Sequence, residues 1–461
     1  MRNSSFRKLA PALTVLAVLA PAAPPLGAAE DRALTLLRDQ IRALEQKLLV
    51  LERKQEIKDE AAAAAPAPKV TVNDKGVTLA SADGANSLRV RGLVQLDARL
   101  FFDDDASIVN NAFVLRRARI ISEGTFARRY SFQLVTEFGG GAVSILDANL
   151  GVALGQGLQF KLGKFKSPLG HEQLQSDAWT FFNERSLVTG LVPNRDLGVQ
   201  ASGDLADGRL NYAVGVFGGV PDGASTNNSD FDNEKDVVGR VQVSPFRNTA
   251  GSPLQGLTLG LAGSIGRQKT ASGRTAGYRT DGQQTFFAYA ATTVADGASW
   301  RISPQLDYRR GSLGLLGEYV LSAVNLRPSA TGPKTELQHR AWQLAAGYVL
   351  TGEDSSYNGV VPATNFDPAQ GTWGAFEVAA RYASLEIDDA VFPQYASAAN
   401  NANEASAVGV GLNWYLSKAV VFKFDYYQTR FGFNAASPAV SSAPVLRQDE
   451  KSFITRFQLT F

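Results

Sequence analysis

The stretch Ser452–Phe461, "SFITRFQLTF", places Phe453, Thr455, Phe457, Leu459 and Phe461 on one face of an extended chain. Ile454, Arg456, Gln458 and Thr460 fall on the other face, because side chains alternate along a strand. The same texture recurs from Leu88 to the end of the sequence, in "LQFKLGKF" (158–165), "LNYAVGVF" (210–217), "AWQLAAGYVL" (341–350) and "VVFKFDYYQTRF" (420–431). Turn-forming clusters separate these runs, so the chain reads as all-β. After the N-terminal region no run of about 18 apolar residues occurs, and no transmembrane helix is expected.

Two architectures accommodate many short alternating strands: a soluble β array and a transmembrane barrel. A soluble sandwich hides a dry apolar face and shows water a charged one. Here the polar face is rich in Gly, Ala, Ser, Gln and Tyr, which suits a watery lumen, while Phe, Leu, Val, Tyr and Trp suit a lipid-facing band. Trp300, Trp342, Trp373 and Trp414 read as girdle residues. Candidate strands number 17, and single-chain bacterial barrels have even counts. Gln283–Val294 is the weakest and reads equally well as an ordered loop, which leaves a 16-stranded antiparallel barrel wide enough for an aqueous channel. Short turns ("ADGR", "RRGS", "LSKA") alternate with longer connections near 218–235, 322–340, 352–372, 387–404 and 432–450, which are expected outside the cell. The connection between Phe165 and Gly198 mixes aromatic and charged residues and is expected to fold into the lumen as a constriction; an outer cap or a subunit contact is the alternative.

The front of the chain has its own organisation. Residues 1–29 are laid out as a secretory signal peptide, with Arg2, Arg7 and Lys8 before the apolar Leu9–Ala20 and small residues at Gly27-Ala28-Ala29. From 30 to 60, Leu34, Leu37, Ile41, Leu44, Leu48 and Leu51 recur at three- and four-residue steps, the seam of a short α-helical coiled coil. "AAAAAPAP" (61–68) begins a linker and periplasmic segment that runs to 87, and the barrel occupies 88–461.

Composition excludes several chemistries. The chain has no cysteine and only two histidines, His171 and His339, so thiolate sites are excluded and zinc or general-base chemistry has little to work with. No nucleophile motif surrounds either histidine, and "KLGKFKSP" lacks the spacing of a phosphate-binding loop. No enzyme activity, metal or cofactor is expected. A net charge of +2 argues against a nucleic-acid partner.

Arginines concentrate in "NAFVLRRARI" (111–120). On a strand Arg117 and Arg119 share a face, whereas Arg116 points away unless a bulge intervenes. These residues can strip water from an anion and replace it with guanidinium donors, or they can pair with Glu123, Glu137 or Asp147 to stiffen the wall. Lys161, Lys164, Lys166 and Arg195 flank the constriction segment, and Arg267, Lys269, Arg274 and Arg279 form a further basic group, for anion capture or for lipopolysaccharide contact.

The stretches "NAFVLRRARIISEGTF" (111–126), "YSFQLVTEFGGG" (130–141), "KLGKFKSPLGHE" (161–172), "NERSLV" (183–188) and "PNRDLGVQASG" (193–203) resemble the phosphate-selective porin O/P family. The resemblance implies a trimeric, 16-stranded outer-membrane channel that holds small anions on a ring of basic residues tempered by one aspartate. It assigns Arg116, Arg117 and Arg185 to that ring and Asp147 as the acidic member, while Lys164 and Lys166 read from the sequence itself as added positive potential at the constriction or as a solvated strand edge. Leu93, Gln173 and Gln338 stand where the resemblance expects cations, which implies a milder anion preference than strict phosphate capture. The expectation is therefore a homotrimeric porin of the bacterial outer membrane, in contact with lipid and lipopolysaccharide, passing phosphate or other oxyanions. Its N-terminal helix is expected in the periplasm, where it can reach the cell wall. A weakly selective diffusion porin with a tethering helix is the alternative.

Overall fold

The computed structural model describes residues 26–64, 67–102, 110–270, 277–433 and 449–461. Most of the expected signal peptide, Arg274 and the greater part of the 432–450 connection lie outside the described residues.

The chain divides into two units, Met1–Ala67 and Pro68–Phe461. The first contains helix α1 (Leu26–Ala64). It runs through alanines expected in the linker, since alanine has the highest helix propensity, and it ends just before Pro66, which lacks an amide hydrogen. Leu37, Ile41, Leu44, Leu48 and Leu51 are all exposed, so the expected seam is uncovered. The helix is present; a coiled coil, which takes a second helix, is not a property of this single chain.

The second unit starts with the hairpin β1 (Lys69–Asn73) and β2 (Gly76–Ala80). The wall follows: β3 (Ser87–Phe102), β4 (Ala112–Phe126), β5 (Tyr130–Glu137), β6 (Ser144–Ala153), β7 (Gln159–Lys166) and β8 (Arg195–Leu205). It continues through β9 (Leu210–Phe217), β10 (Asp236–Val243) and β11 (Leu257–Lys269). A separate two-stranded sheet, β12 (Tyr278–Arg279) and β13 (Thr285–Phe287), interrupts it. The wall resumes with β14 (Val294–Arg310), β15 (Leu313–Arg327), β16 (Thr335–Val349) and β17 (Ala375–Glu386). It ends with β18 (Glu404–Tyr415), β19 (Val420–Gly432) and β20 (Asp449–Thr460). Each wall strand pairs antiparallel with its neighbours and β20 pairs with β3, which closes a barrel of sixteen strands. The weak candidate around Gln283 is indeed not in the wall: its aromatics Phe286, Phe287 and Tyr289 are buried in a cluster with Tyr278 and Leu191.

Burial runs opposite to that of a soluble protein. Leu96, Leu100, Leu162, Val216, Leu261 and Val410 are exposed, while Gln95, Asp97, Arg301, Lys423, Arg456 and Gln458 are buried. Lipid takes the place of a hydrophobic core on the outside, and the inward residues satisfy one another. At the seam Gly92 and Phe461 exchange backbone hydrogen bonds of 2.5 and 3.2 Å. A Cβ at Gly92 would overlap the Phe461 ring, which crosses the glycine at the seam and would have to turn aside.

One mouth carries short turns at 127–129, 206–209, 311–312 and 416–419 together with the C-terminus; the other carries the loops. Two connections differ from expectation. The 322–340 loop shrinks to 328–334 because β15 and β16 extend into it. The 352–372 segment leaves from the turn mouth, since β16 and β17 meet there, and it folds inward: Tyr357 donates from its hydroxyl to the His171 carbonyl at 2.9 Å.

Candidate anion pathway

The segment 167–194, with helix α2 (His171–Leu174) and a 3-10 turn at Leu187–Leu191, lies inside the barrel. Irregular backbone at membrane depth needs partners, and lumen side chains supply them. Gln305 donates to the Leu169 carbonyl at 2.5 Å, Gln458 to Ala178 at 3.1 Å, Asn413 to Phe181 at 2.9 Å, and Gln95 to Asp177 at 3.1 Å. Leu187, Val188 and Leu191 bury against Val324, Ala341 and Leu385 of β15–β17. The segment thus covers the inner wall from β14 round to β3 and leaves open the side lined by β4–β10. It is a constriction, as expected, and not a cap.

The arginines of β4 reach it because of a bulge. Gln95 pairs with Arg117 and Leu96 with Leu115, which leaves Arg116 unpaired in register. Arg116, Arg117 and Arg119 therefore all turn inward. Arg116 makes a bidentate contact with Glu184, at 2.6 and 3.0 Å. Arg117 contacts Gln95 at 2.7 Å and Asp177 at 3.2 Å. Arg119 binds Glu137 at 2.5 Å and also Asp177, and Arg185 binds Asp177 as well as the Gln175 carbonyl at 2.6 Å. Arg456 joins Asp97 at 2.6 Å to Glu184 at 3.0 Å, and Arg99 spans the same two carboxylates. Six guanidinium groups thus face four carboxylates, an excess of positive charge.

Burial opposes ionisation of Asp177 and Glu184 in the loop, yet the surrounding arginines outweigh it and hold both carboxyls below the usual carboxylate range. Neither residue was expected at the site. The available signal was their position: acidic residues in a segment that enters a lumen rich in arginine.

Two chambers flank the cluster, one of about 560 Å³ towards the loop mouth and one of about 530 Å³ towards the turn mouth. Arg119, Asp177 and Arg195 line both, which puts the neck between them. Seven arginines and three carboxylates line the loop-side chamber. Six basic residues and two carboxylates line the turn-side one. Of the expected site residues, Arg116, Arg117 and Arg185 come together on the loop side. Asp147 lines the turn-side chamber, paired with Arg195 at 3.1 Å, and the carboxylates that meet Arg116, Arg117 and Arg185 are Asp177 and Glu184. Lys166 lines the turn-side chamber with its ammonium on the Gln173 and Gln175 carbonyls, at 2.6 and 3.0 Å. Lys164 lines neither chamber: alternation along β7 puts it on the face opposite Lys161 and Phe165, and the ammonium is bound to the Ile145 carbonyl at 2.9 Å and to the 227–228 loop. Leu93 lines the turn-side chamber and Gln173 the loop-side one, so two uncharged side chains stand among the basic ones. Arg279 lines the loop-side chamber, whereas Arg267 pairs with Glu234 at 3.7 Å.

His171 contacts Arg240 at 2.7 Å and Asp307 at 3.3 Å, and His339 contacts Tyr289 at 2.5 Å. Both are built into the lumen's polar network.

Similarity to known proteins agrees with this geometry. Porin O of Pseudomonas aeruginosa is 22% identical over 393 residues, which cover 77% of this chain and 85% of that protein. Among solved structures, the outer-membrane channel DcaP of Acinetobacter baumannii superposes with a TM-score of 0.52 at 10% identity, covering 82% of this chain and 98% of that one. The trimer form of OmpT from Vibrio cholerae gives 0.50 at 12% identity, over 82% of this chain and 100% of that one. The family model "Phosphate-selective porin O and P" matches residues 88–461, the whole barrel, and the chain belongs to this family of outer-membrane porins.

Proposed function

We propose that the protein passes small hydrated anions, phosphate and other oxyanions among them, through a neck between Arg119, Arg195 and Asp177. The observation that carries this reading is the cationic excess lining both chambers. An anion entering the neck exchanges water for guanidinium donors, and the carboxylates interleaved among the arginines keep the hold weak enough for release. The turn mouth faces the periplasm in this reading, the barrel assembles as a homotrimer in contact with lipid and lipopolysaccharide, and α1 is periplasmic, where it self-associates and contacts the cell wall. A weakly selective channel is the second reading. It is favoured by the pairing of nearly every arginine at the neck and by Leu93 and Gln173.

Reversal potential in a planar bilayer under a potassium chloride gradient separates the two. The anion reading expects a potential of the sign set by chloride; a potential near zero supports weak selectivity, and cation selectivity rules the anion reading out. Lys161→Met with Arg279→Ala is the clean variant, because neither side chain makes an ion pair among the described residues and the Asp147 near Lys161 keeps its partner Arg195. Anion preference should fall by about twofold or more with the fold intact.

A further inference from the structure

We propose that the turn-side chamber is a binding subsite for organic anions that carry a carboxylate on a hydrocarbon body. This deepens the anion reading and rests on it. Ile121 and Val135 are direct cross-strand partners on the inner face of β4 and β5, and Leu93 lines the same chamber from β3, where Arg91 pairs in register with Ile121. Phe165 of β7 and Pro168 and Leu174 of the inward segment also line it. A porin lumen is ordinarily polar, and a hydrated inorganic anion gains nothing from these side chains. A hydrocarbon body does, because its burial releases water from both surfaces.

Among the described residues, Lys161 is the cation of this lining whose charge no ion pair or hydrogen bond engages, although the Asp147 charge lies within its reach. Arg91 is taken by Glu123 at 3.1 Å, Arg195 by Asp147 at 3.1 Å, Arg240 by His171 and Gln305, and Lys166 by two carbonyls. Lys161 makes no ion pair or hydrogen bond among the described residues; its ammonium lies 5.3 Å from the centre of the Phe165 ring. A carboxylate at Lys161 would therefore have an aromatic face beside it, and its body would lie towards the aliphatic side chains. The chamber thus sets an apolar strip beside charged groups in an otherwise polar lining, a combination that suits an amphiphilic anion in a cavity of small-molecule size. The loop-side chamber lacks this strip: charged and amide side chains dominate its lining.

Chloride current through the unmodified channel, with acetate, hexanoate, benzoate or inorganic phosphate added in turn, tests the subsite. Hexanoate and benzoate are expected to depress the current at concentrations on the order of tenfold below acetate, since each buried methylene contributes a further factor. Phosphate should do no better than acetate. Equal block by acetate and hexanoate, or phosphate as the strongest blocker, overturns the proposal. Reversal potential in chloride alone, read on the same channels, keeps the two ideas apart. Cation preference there defeats the anion reading itself, whereas anion preference without hydrocarbon ranking defeats the subsite alone. Lys161→Met should erase the hexanoate advantage, and Leu93→Arg should move the ranking towards phosphate. The ranking on unmodified protein decides the matter even where a variant assembles poorly.

Discussion

At the level of single residues, Asp177 and Glu184 govern how much of the arginine cluster an anion can use. Asp177 faces Arg117, Arg119 and Arg185 together, so Asp177→Asn frees positive charge at the neck while leaving the side chain's shape. The anion-to-cation permeability ratio should rise several-fold by reversal potential. Docking of the inward segment should weaken by about 3 kcal/mol, the scale for breaking a buried ion pair, and appear as noisier open-channel current. Acid acts on the same groups. Their carboxyls are held below the ordinary carboxylate range, so their contribution to docking is complete above about pH 5. It is lost only as pH falls through the lowered values. Conductance should therefore be steady from pH 7 to 5 and become unstable well below pH 4; instability beginning near neutrality would place the stabilising charge elsewhere.

At the scale of elements, two features of the wall stand out. The bulge in β4 turns Arg116 inward, and without it alternation would send that guanidinium into lipid. The seam between β3 and β20 depends on the Phe461 ring crossing Gly92. Gly92→Val should force the ring aside and lower the unfolding temperature of the detergent-solubilised barrel, read as earlier loss of the compact band on an unheated gel. Val94→Ile, in the neighbouring register position, should leave it unchanged. The 350–374 connection enters the lumen from the turn mouth, where Tyr357 and Asn358 line the turn-side chamber. Replacing residues 353–362 with a short glycine-serine turn should raise single-channel conductance, and unchanged conductance would show that this segment does not limit flow.

On the scale of the whole molecule, the pathway is a field more than a fixed site. Oppositely charged groups alternate along the neck with a small positive remainder, and salt screens such a remainder over about 10 Å at 0.1 M and about 3 Å at 1 M. Anion preference should decline steadily across that range of ionic strength, whereas a preference independent of salt would point to tight, desolvated capture. The helix belongs to this scale too. Deleting residues 30–60 should lower the oligomer's stability in detergent or loosen its hold on the envelope, and no change in either would make the helix dispensable for both.

The period-two alternation from Leu88 to Phe461 and the missing apolar helix were enough to make this a transmembrane barrel, because lipid reverses which face must be apolar. The strand count, the helix and the inward course of 167–194 were legible for the same local reasons: periodicity, turn chemistry and length. The tertiary structure decided the pairing. Which carboxylate meets which arginine depends on residues brought together around a closed ring, as when Arg456 at the end of the chain meets Asp97 near its start. No spacing along the chain encodes that contact, so Asp177 and Glu184 were not read as the carboxylates that meet the β4 arginines. Lys164 faces away from the chambers for a local reason, since alternation sets it opposite Lys161 and Phe165. The same closure turned the 352–372 connection to the turn mouth, since an end of a barrel is set by counting strands and not by the length of a loop.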